Sequence, residues 1–100
     1  MSRPTLLHLE TALCVAHIGT FSGAARKLDA TQPAISARVR ELEASLGYRL
    51  FIRRGQRMEI TPKGRQFLEQ VEPHFLQLQS ILSERESPVP GDQSASAVRR

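Results

Sequence analysis

The sequence predicts a mainly α fold: three helices packed into one small core, a short β-hairpin beside them, and a long closing helix. Three observations carry that prediction. Between Phe21 and Glu43 two helical patterns are separated only by Asp29-Ala30-Thr31, enough to turn the chain and too short for anything else. Arg49 to Thr61 places apolar residues on either side of Gly55, alternating with polar ones in the second half. From Pro62 to about Glu86 apolar residues recur at spacings of three and four. The architecture is a winged helix-turn-helix over residues 4–61, with the helix-turn-helix itself at about 21–40. A linker or dimerisation helix follows over 62–86, and then a flexible hinge or tail over 87–100.

Thr5 to about Ile18 reads as an amphipathic helix. Leu6, Leu9, Leu13 and Ala16 form its expected buried stripe, Leu7 and Val15 flank it, and Gly19 ends it. Thr20 or Ser22 caps the next helix, on which Ala24, Ala25 and Leu28 share a face small enough for another helix to approach closely. Thr31 caps a third helix. Pro33 is tolerated in its first turn because the N–H groups there lack intrahelical partners. Ile35, Val39 and Leu42 fix the buried face, and Gly47 stops the helix after Leu46. Off that face lie Gln32, Ser36, Ala37, Arg38 and Arg40, the side chains that reading a sequence and clamping phosphates would need.

In the hairpin, Leu50, Phe51 and Ile52 form a short apolar run, and Met58 and Ile60 alternate with Arg57 and Glu59. The tip is basic. A wing of this kind reaches a neighbouring minor groove, whose negative potential favours arginine, and Arg53, Arg54 and Arg57 are the candidates. A competing reading of Arg53 is an exposed salt bridge to Glu41 or Glu43. Thr61 and Pro62 start the last helix as cap and first helical residue. Leu68, Val71, Phe75, Leu78 and Leu82 make a heptad seam, which Phe67 and Ile81 widen. Such a helix overshoots a three-helix body, so its far end is expected to pack on a second copy in a homodimer. Pro73 removes a hydrogen bond to Glu69 on the opposite face and is expected to bend the helix without ending it.

One hundred residues allow one small domain, which gains from oligomerisation. The net charge of +4 is uneven: residues 26–65 hold ten basic and four acidic side chains, and the remainder is net acidic. A basic block beside a helix-turn-helix points to a phosphate-facing surface. One cysteine, Cys14, rules out an internal disulfide and suits a reducing cytoplasm; its apolar neighbours make it a small core residue. No apolar run approaches the ~20 residues of a membrane span, and no signal peptide is evident. Enzyme readings find no support. His8, His17 and His74 have no paired spacing, one cysteine gives no zinc set, and neither a Gly-rich phosphate loop nor a serine elbow appears. No metal or cofactor is expected. Double-stranded DNA is the expected partner; the rival is a helix-turn-helix reused for protein–protein interaction, and RNA binding is a third, weaker option.

These residues carry a resemblance. FSGAARKL, TQPAISARVRELE, LGYRLFIRRGQRMEITPKG and FLEQVEPHF are together similar to the N-terminal DNA-binding region of LysR-type transcriptional regulators, over about Leu6 to Leu82. The resemblance implies a homodimer held by the long helix, or a tetramer in a full-length protein, on an interrupted-dyad operator. It implies base contacts from Gln32, Pro33 and Ser36 and a minor-groove contact from Arg53. Ser22, Thr31, Arg38, Arg40, Arg54, Arg57 and Lys63 match candidates for contacts to the DNA backbone. Ala37 stands where many members carry a long basic or polar side chain; an alanine cannot reach a guanine edge, which points to a different operator preference. Members usually continue into a two-lobed effector domain, and a small-molecule effector is expected only where one is present. The chain reads as a fragment ending within that hinge, or else as a natural short form without ligand sensing.

Overall fold

In the computed structural model, which describes residues 3–86 and all but the side chains of 84–86, six elements follow one another. They are α1 (Leu6–Ile18), α2 (Phe21–Lys27), α3 (Gln32–Leu46), β1 (Phe51–Arg54), β2 (Arg57–Ile60) and α4 (Pro62–Glu86). The expected hinge at 87–100 lies outside the described residues.

Each helix starts where a threonine satisfies an otherwise unpaired amide. Thr5 Oγ1 accepts from the His8 amide at 3.3 Å, Thr20 from Gly23 at 3.0 Å, Thr31 from Ala34 at 3.2 Å and Thr61 from Gly64 at 2.9 Å. Gly19 and Gly47 close α1 and α3 in the left-handed conformation. At α1 the cap is reciprocal, because His8 Nδ1 accepts the Thr5 amide at 3.0 Å. Its other nitrogen lies 2.8 Å from Glu41 Oε1 and ties the start of α1 to α3. With Nδ1 accepting, the proton is on Nε2 and the imidazole donates to the carboxylate.

The core gathers Ala12, Leu13 and Val15 of α1, Ala24 and Ala25 of α2, Ile35, Val39 and Leu42 of α3, Leu50, Phe51, and Leu68 of α4. Each large side chain so buried contributes roughly 1.5–3 kcal/mol. The contact face of α1 agrees with the expected stripe in part: Leu13 lies in the core and Leu9 packs against it. His8, Thr11, Ala12, Leu13 and Val15 are buried, whereas Leu6 and Ala16 are exposed. The helix is apolar on two sides. Its small face meets α2 and α3, and Leu6 and Leu9 instead border α4 across an open groove of about 510 Å³. Thr11 is tolerated in the core because its hydroxyl donates to Leu7 O at 2.8 Å. Cys14 is half-buried beside the core; burial pushes its thiol up, Lys27 opposes this and Glu10 adds to it.

β1 and β2 form an antiparallel hairpin with Phe51 opposite Ile60 and Arg54 opposite Arg57. Gly55 takes a φ of 60° and is the only positive φ in the two-residue turn, the pattern of a type II′ connection. Thr61 then locks the start of α4: its hydroxyl donates to Arg49 O at 2.7 Å and its amide to Leu50 O at 2.8 Å. Gly64 permits this approach, since a Cβ there would lie 2.6 Å from Leu50 O.

α4 continues through Pro73 and, at 25 residues, is about 37 Å long. It accounts for a molecule 51 Å in one direction and 24 × 23 Å across. The seam expected for dimerisation divides along its length. Leu68 is 4% exposed and belongs to the chain's own core, so it is not available to a second subunit. Val71 and Phe75 pack partly on that core. Leu78 and Leu82 are exposed, with Leu76 and Ile81 beside them. The heptad periodicity does not separate these roles, because one stripe runs from the body onto the projecting end. No helix among the described residues is long and apolar enough to cross a membrane.

Candidate nucleic-acid interface

The turn before α3 sets the site. Leu28 ends α2, Asp29 adopts a left-handed φ of 55°, and Ala30 begins the approach to the Thr31 cap. The Ala30 amide donates back to Ala25 O at 2.9 Å and that of Asp29 to Arg26 O at 3.4 Å. This is the paired closure of a Schellman motif, with aspartate where glycine is usual. The turn is therefore held by two bonds, and the polar front of α3 emerges in one direction. Gln32 and Pro33 are exposed there and Ser36 is half-buried. Arg40, one turn on, donates from Nη1 to Ser36 Oγ at 3.0 Å. Arg38 is half-buried on the same helix.

The wing is fixed to the opposite side of this front. The Met58 amide donates to Gly19 O at 2.8 Å, and the Arg57 guanidinium lies against Gly19. That contact joins β2 to the turn between α1 and α2 and brings Arg53 over the start of α3. Gln32, Pro33, Ser36 and Arg53 line one open groove of about 330 Å³ around Phe21. Two adjoining hollows share Phe21 and Arg53. One adds Thr20, Ser22 and Gln56; the other adds Arg40, Arg49 and Glu43. All four residues expected to contact bases thus meet in one concavity, and Ser22 and Arg40 stand at its ends.

The remaining candidates are placed differently. Thr31 holds the cap of α3. Arg54 is paired across the hairpin with Glu59 at 2.8 Å, an exposed bond worth little in water and open to exchange for a phosphate. Arg57 packs on Gly19, and Lys63 sits 5.2 Å above the Tyr48 ring. Neither Glu41 nor Glu43 pairs with Arg53: Glu41 holds His8, and Glu43 holds Arg49 at 3.4 Å. Among the described residues Arg53 makes no ion pair.

Sequence reasoning missed three participants. Phe21 forms the apolar floor of the groove; its place at the head of α2, next to the Thr20 cap, was the available signal. Arg49 borders the groove from the approach to the wing. Glu43 is nearly buried and also accepts the amides of Leu50 and Phe51, at 2.7 and 3.3 Å. A carboxylate near a helix C-terminus opposes the macrodipole, which was a hint that other donors hold it. Among the described residues no three His, Cys, Asp or Glu side chains sit together to hold a metal ion.

A capped helix with polar side chains at its front, set beside a wing arginine, defines a winged helix-turn-helix domain of the DNA-binding kind. Residues 6–65 match the family described as bacterial regulatory helix-turn-helix protein, lysR family, and the chain belongs to it. It is similar to the AhcY transcriptional activator HvrB of Rhodobacter capsulatus, 40% identical over 77 residues that make up 77% of this chain and 26% of that protein. Among solved structures it is similar to oxidised Corynebacterium glutamicum OxyR, at 33% identity and a TM-score of 0.79 over 84% of this chain and 27% of that one. It is also similar to the DNA-binding domain of CbnR in complex with DNA, at 32% identity and a TM-score of 0.71 over 82% and 93% of the two chains. The chain spans from about a fifth to about half of the length of the curated relatives it matches.

Proposed function

We propose that this chain is the operator-reading portion of a LysR-type transcriptional regulator, acting on double-stranded DNA in the cytoplasm as a homodimer. In this reading residues 4–61 form the DNA-binding unit and 62–86 the dimerising helix. α3 enters the major groove, where Gln32, Pro33 and Ser36 meet base edges and thymine methyl groups. Arg53 enters the adjoining minor groove. Ser22, Thr31, Arg38, Arg40, Arg54, Arg57 and Lys63 hold the sugar-phosphate backbone, Arg54 after release from Glu59.

The observation that carries this reading is the single concavity lined by Gln32, Pro33, Ser36 and Arg53. Among the described residues the carboxylate of the adjoining hollow, Glu43, is already occupied by Arg49 and two backbone amides. A groove that joins an arginine without an ion pair among the described residues, the polar ends of Gln32 and Ser36 and an apolar floor of Phe21 and Pro33 suits a base edge and its methyl group, so the interaction-module reading is not favoured. Dimerisation is supported by the exposed leucines and isoleucine on the far half of α4 and by the apolar groove between α1 and α4.

The test is selection of duplexes from a random-sequence pool, followed by binding measurements on the winner and on scrambled DNA. Preference for the selected duplex supports the reading. Equal affinity for both, or preference for single-stranded RNA, overturns it.

A further inference from the structure

Arg40 and Ser36 are joined by a hydrogen bond whose direction has a consequence for recognition. The guanidinium has only donors, so Ser36 Oγ is the acceptor at 3.0 Å. A helical serine commonly returns its own proton to the carbonyl four residues back. Thr11 does so, donating to Leu7 O at 2.8 Å. Among the described residues Ser36 makes no such bond, and its proton is uncommitted. The hydroxyl borders the groove shared by Gln32, Pro33, Phe21 and Arg53.

We propose that Arg40 is a specificity-determining positioning residue that makes Ser36 a hydrogen-bond donor, so that Ser36 selects an acceptor on the base edge. Purine N7, guanine O6 and thymine O4 are such acceptors, whereas the amino groups of cytosine and adenine are donors. Two effects favour the acceptor. One Ser36 lone pair is engaged by Arg40, and the guanidinium charge sets a positive potential beside the oxygen, which repels an amino group. The same guanidinium keeps further N–H groups for a phosphate oxygen. A phosphate held there anchors the arginine, and the arginine in turn orients the serine. The inference rests on Ser36 being a base contact.

The experiment measures binding of wild type, Ser36→Ala and Arg40→Met to a duplex the protein has selected from a random pool. The duplex carries, one position at a time, analogues lacking one acceptor (7-deazapurines, 2-aminopurine for guanine, 5-methyl-2-pyrimidinone for thymine) or one donor (purine for adenine, 2-pyrimidinone for cytosine). In wild type one acceptor deletion is expected to weaken binding about three- to tenfold, the worth of one hydrogen bond. Ser36→Ala should abolish that sensitivity. Arg40→Met should weaken binding to all duplexes and also reduce sensitivity at that same position. If Ser36→Ala instead abolishes sensitivity to a donor deletion, Ser36 reads bases and the proposed polarity is wrong. If Ser36→Ala changes no analogue's effect, the base contact itself fails. If Arg40→Met lowers all affinities but leaves the acceptor sensitivity intact, Arg40 is a phosphate contact only and the proposal is overturned.

Discussion

Glu43 shows how much a single, nearly buried carboxylate does here. It faces the unfavourable end of the α3 dipole, yet it gathers the amides of Leu50 and Phe51 and the Arg49 guanidinium, and so sets the entry to the wing. Glu43→Ala strands two partly buried amides and should lower stability by about 1–3 kcal/mol in urea denaturation. A loss within a few tenths of a kcal/mol would mean that water replaces the carboxylate. Gln32→Ala should act on DNA alone. It is expected to cost about 1–3 kcal/mol on the selected operator and to relax preference at one base pair, with unchanged thermal stability. Equal operator-to-random ratios for Gln32→Ala and wild type would remove glutamine from the readout. Gln32 was legible in the sequence because Ile35, Val39 and Leu42 fix the buried face of α3 and leave Gln32 off it. Glu43 and His8 were not, because their partners lie 6–8 and 33 residues away and no periodicity encodes such bonds.

At the scale of elements, the wing is useful only where it is anchored. The Met58 amide on Gly19 O and the Thr61 hydroxyl on Arg49 O hold the hairpin along β2 and at its base, so Arg53 is carried on an anchored strand. Arg53→Ala should therefore reduce affinity by an amount that depends on the A·T content of the flanks, which a flank-variant binding series measures. A uniform loss would reduce Arg53 to a phosphate contact, and no loss would discard it. Gly64→Ala tests the junction with α4. Its Cβ meets the Leu50 carbonyl, and the strain should cost about 1–3 kcal/mol of folding stability by thermal or urea denaturation. The hairpin and the start of α4 were readable from Gly55 and Thr61-Pro62. The packing face of α1 was readable only in part, because two apolar faces compete on it: Leu13 and Leu9 pack on the core as expected, and Leu6 and Ala16 do not. Leu6 and Leu9 border the groove against α4, while Ala12, Val15 and Thr11 are fully buried in the core.

For the whole molecule, the proposed dimer would divide the long helix between folding and assembly. Phe75 packs partly on the core and Leu82 projects beyond it, so Phe75→Asp and Leu82→Asp should differ. Both are expected to sediment as monomers at tens of micromolar, but only Phe75→Asp should also lose thermal stability. A wild-type monomer at that concentration would contradict dimerisation by this chain. A monomer also loses the coupling between half-sites, so its affinity for a full operator should fall well below that of the dimer. The central claim is that the groove between α3 and the wing reads a duplex sequence. Its most direct test is the ratio of affinities for the selected operator and for random duplex, measured at one salt concentration near physiological. A preference of ~10³ or more is expected, as for other specific readers, with a marked fall in that ratio for Gln32→Ala. A wild-type ratio near one, at any salt at which the protein still binds, would contradict it.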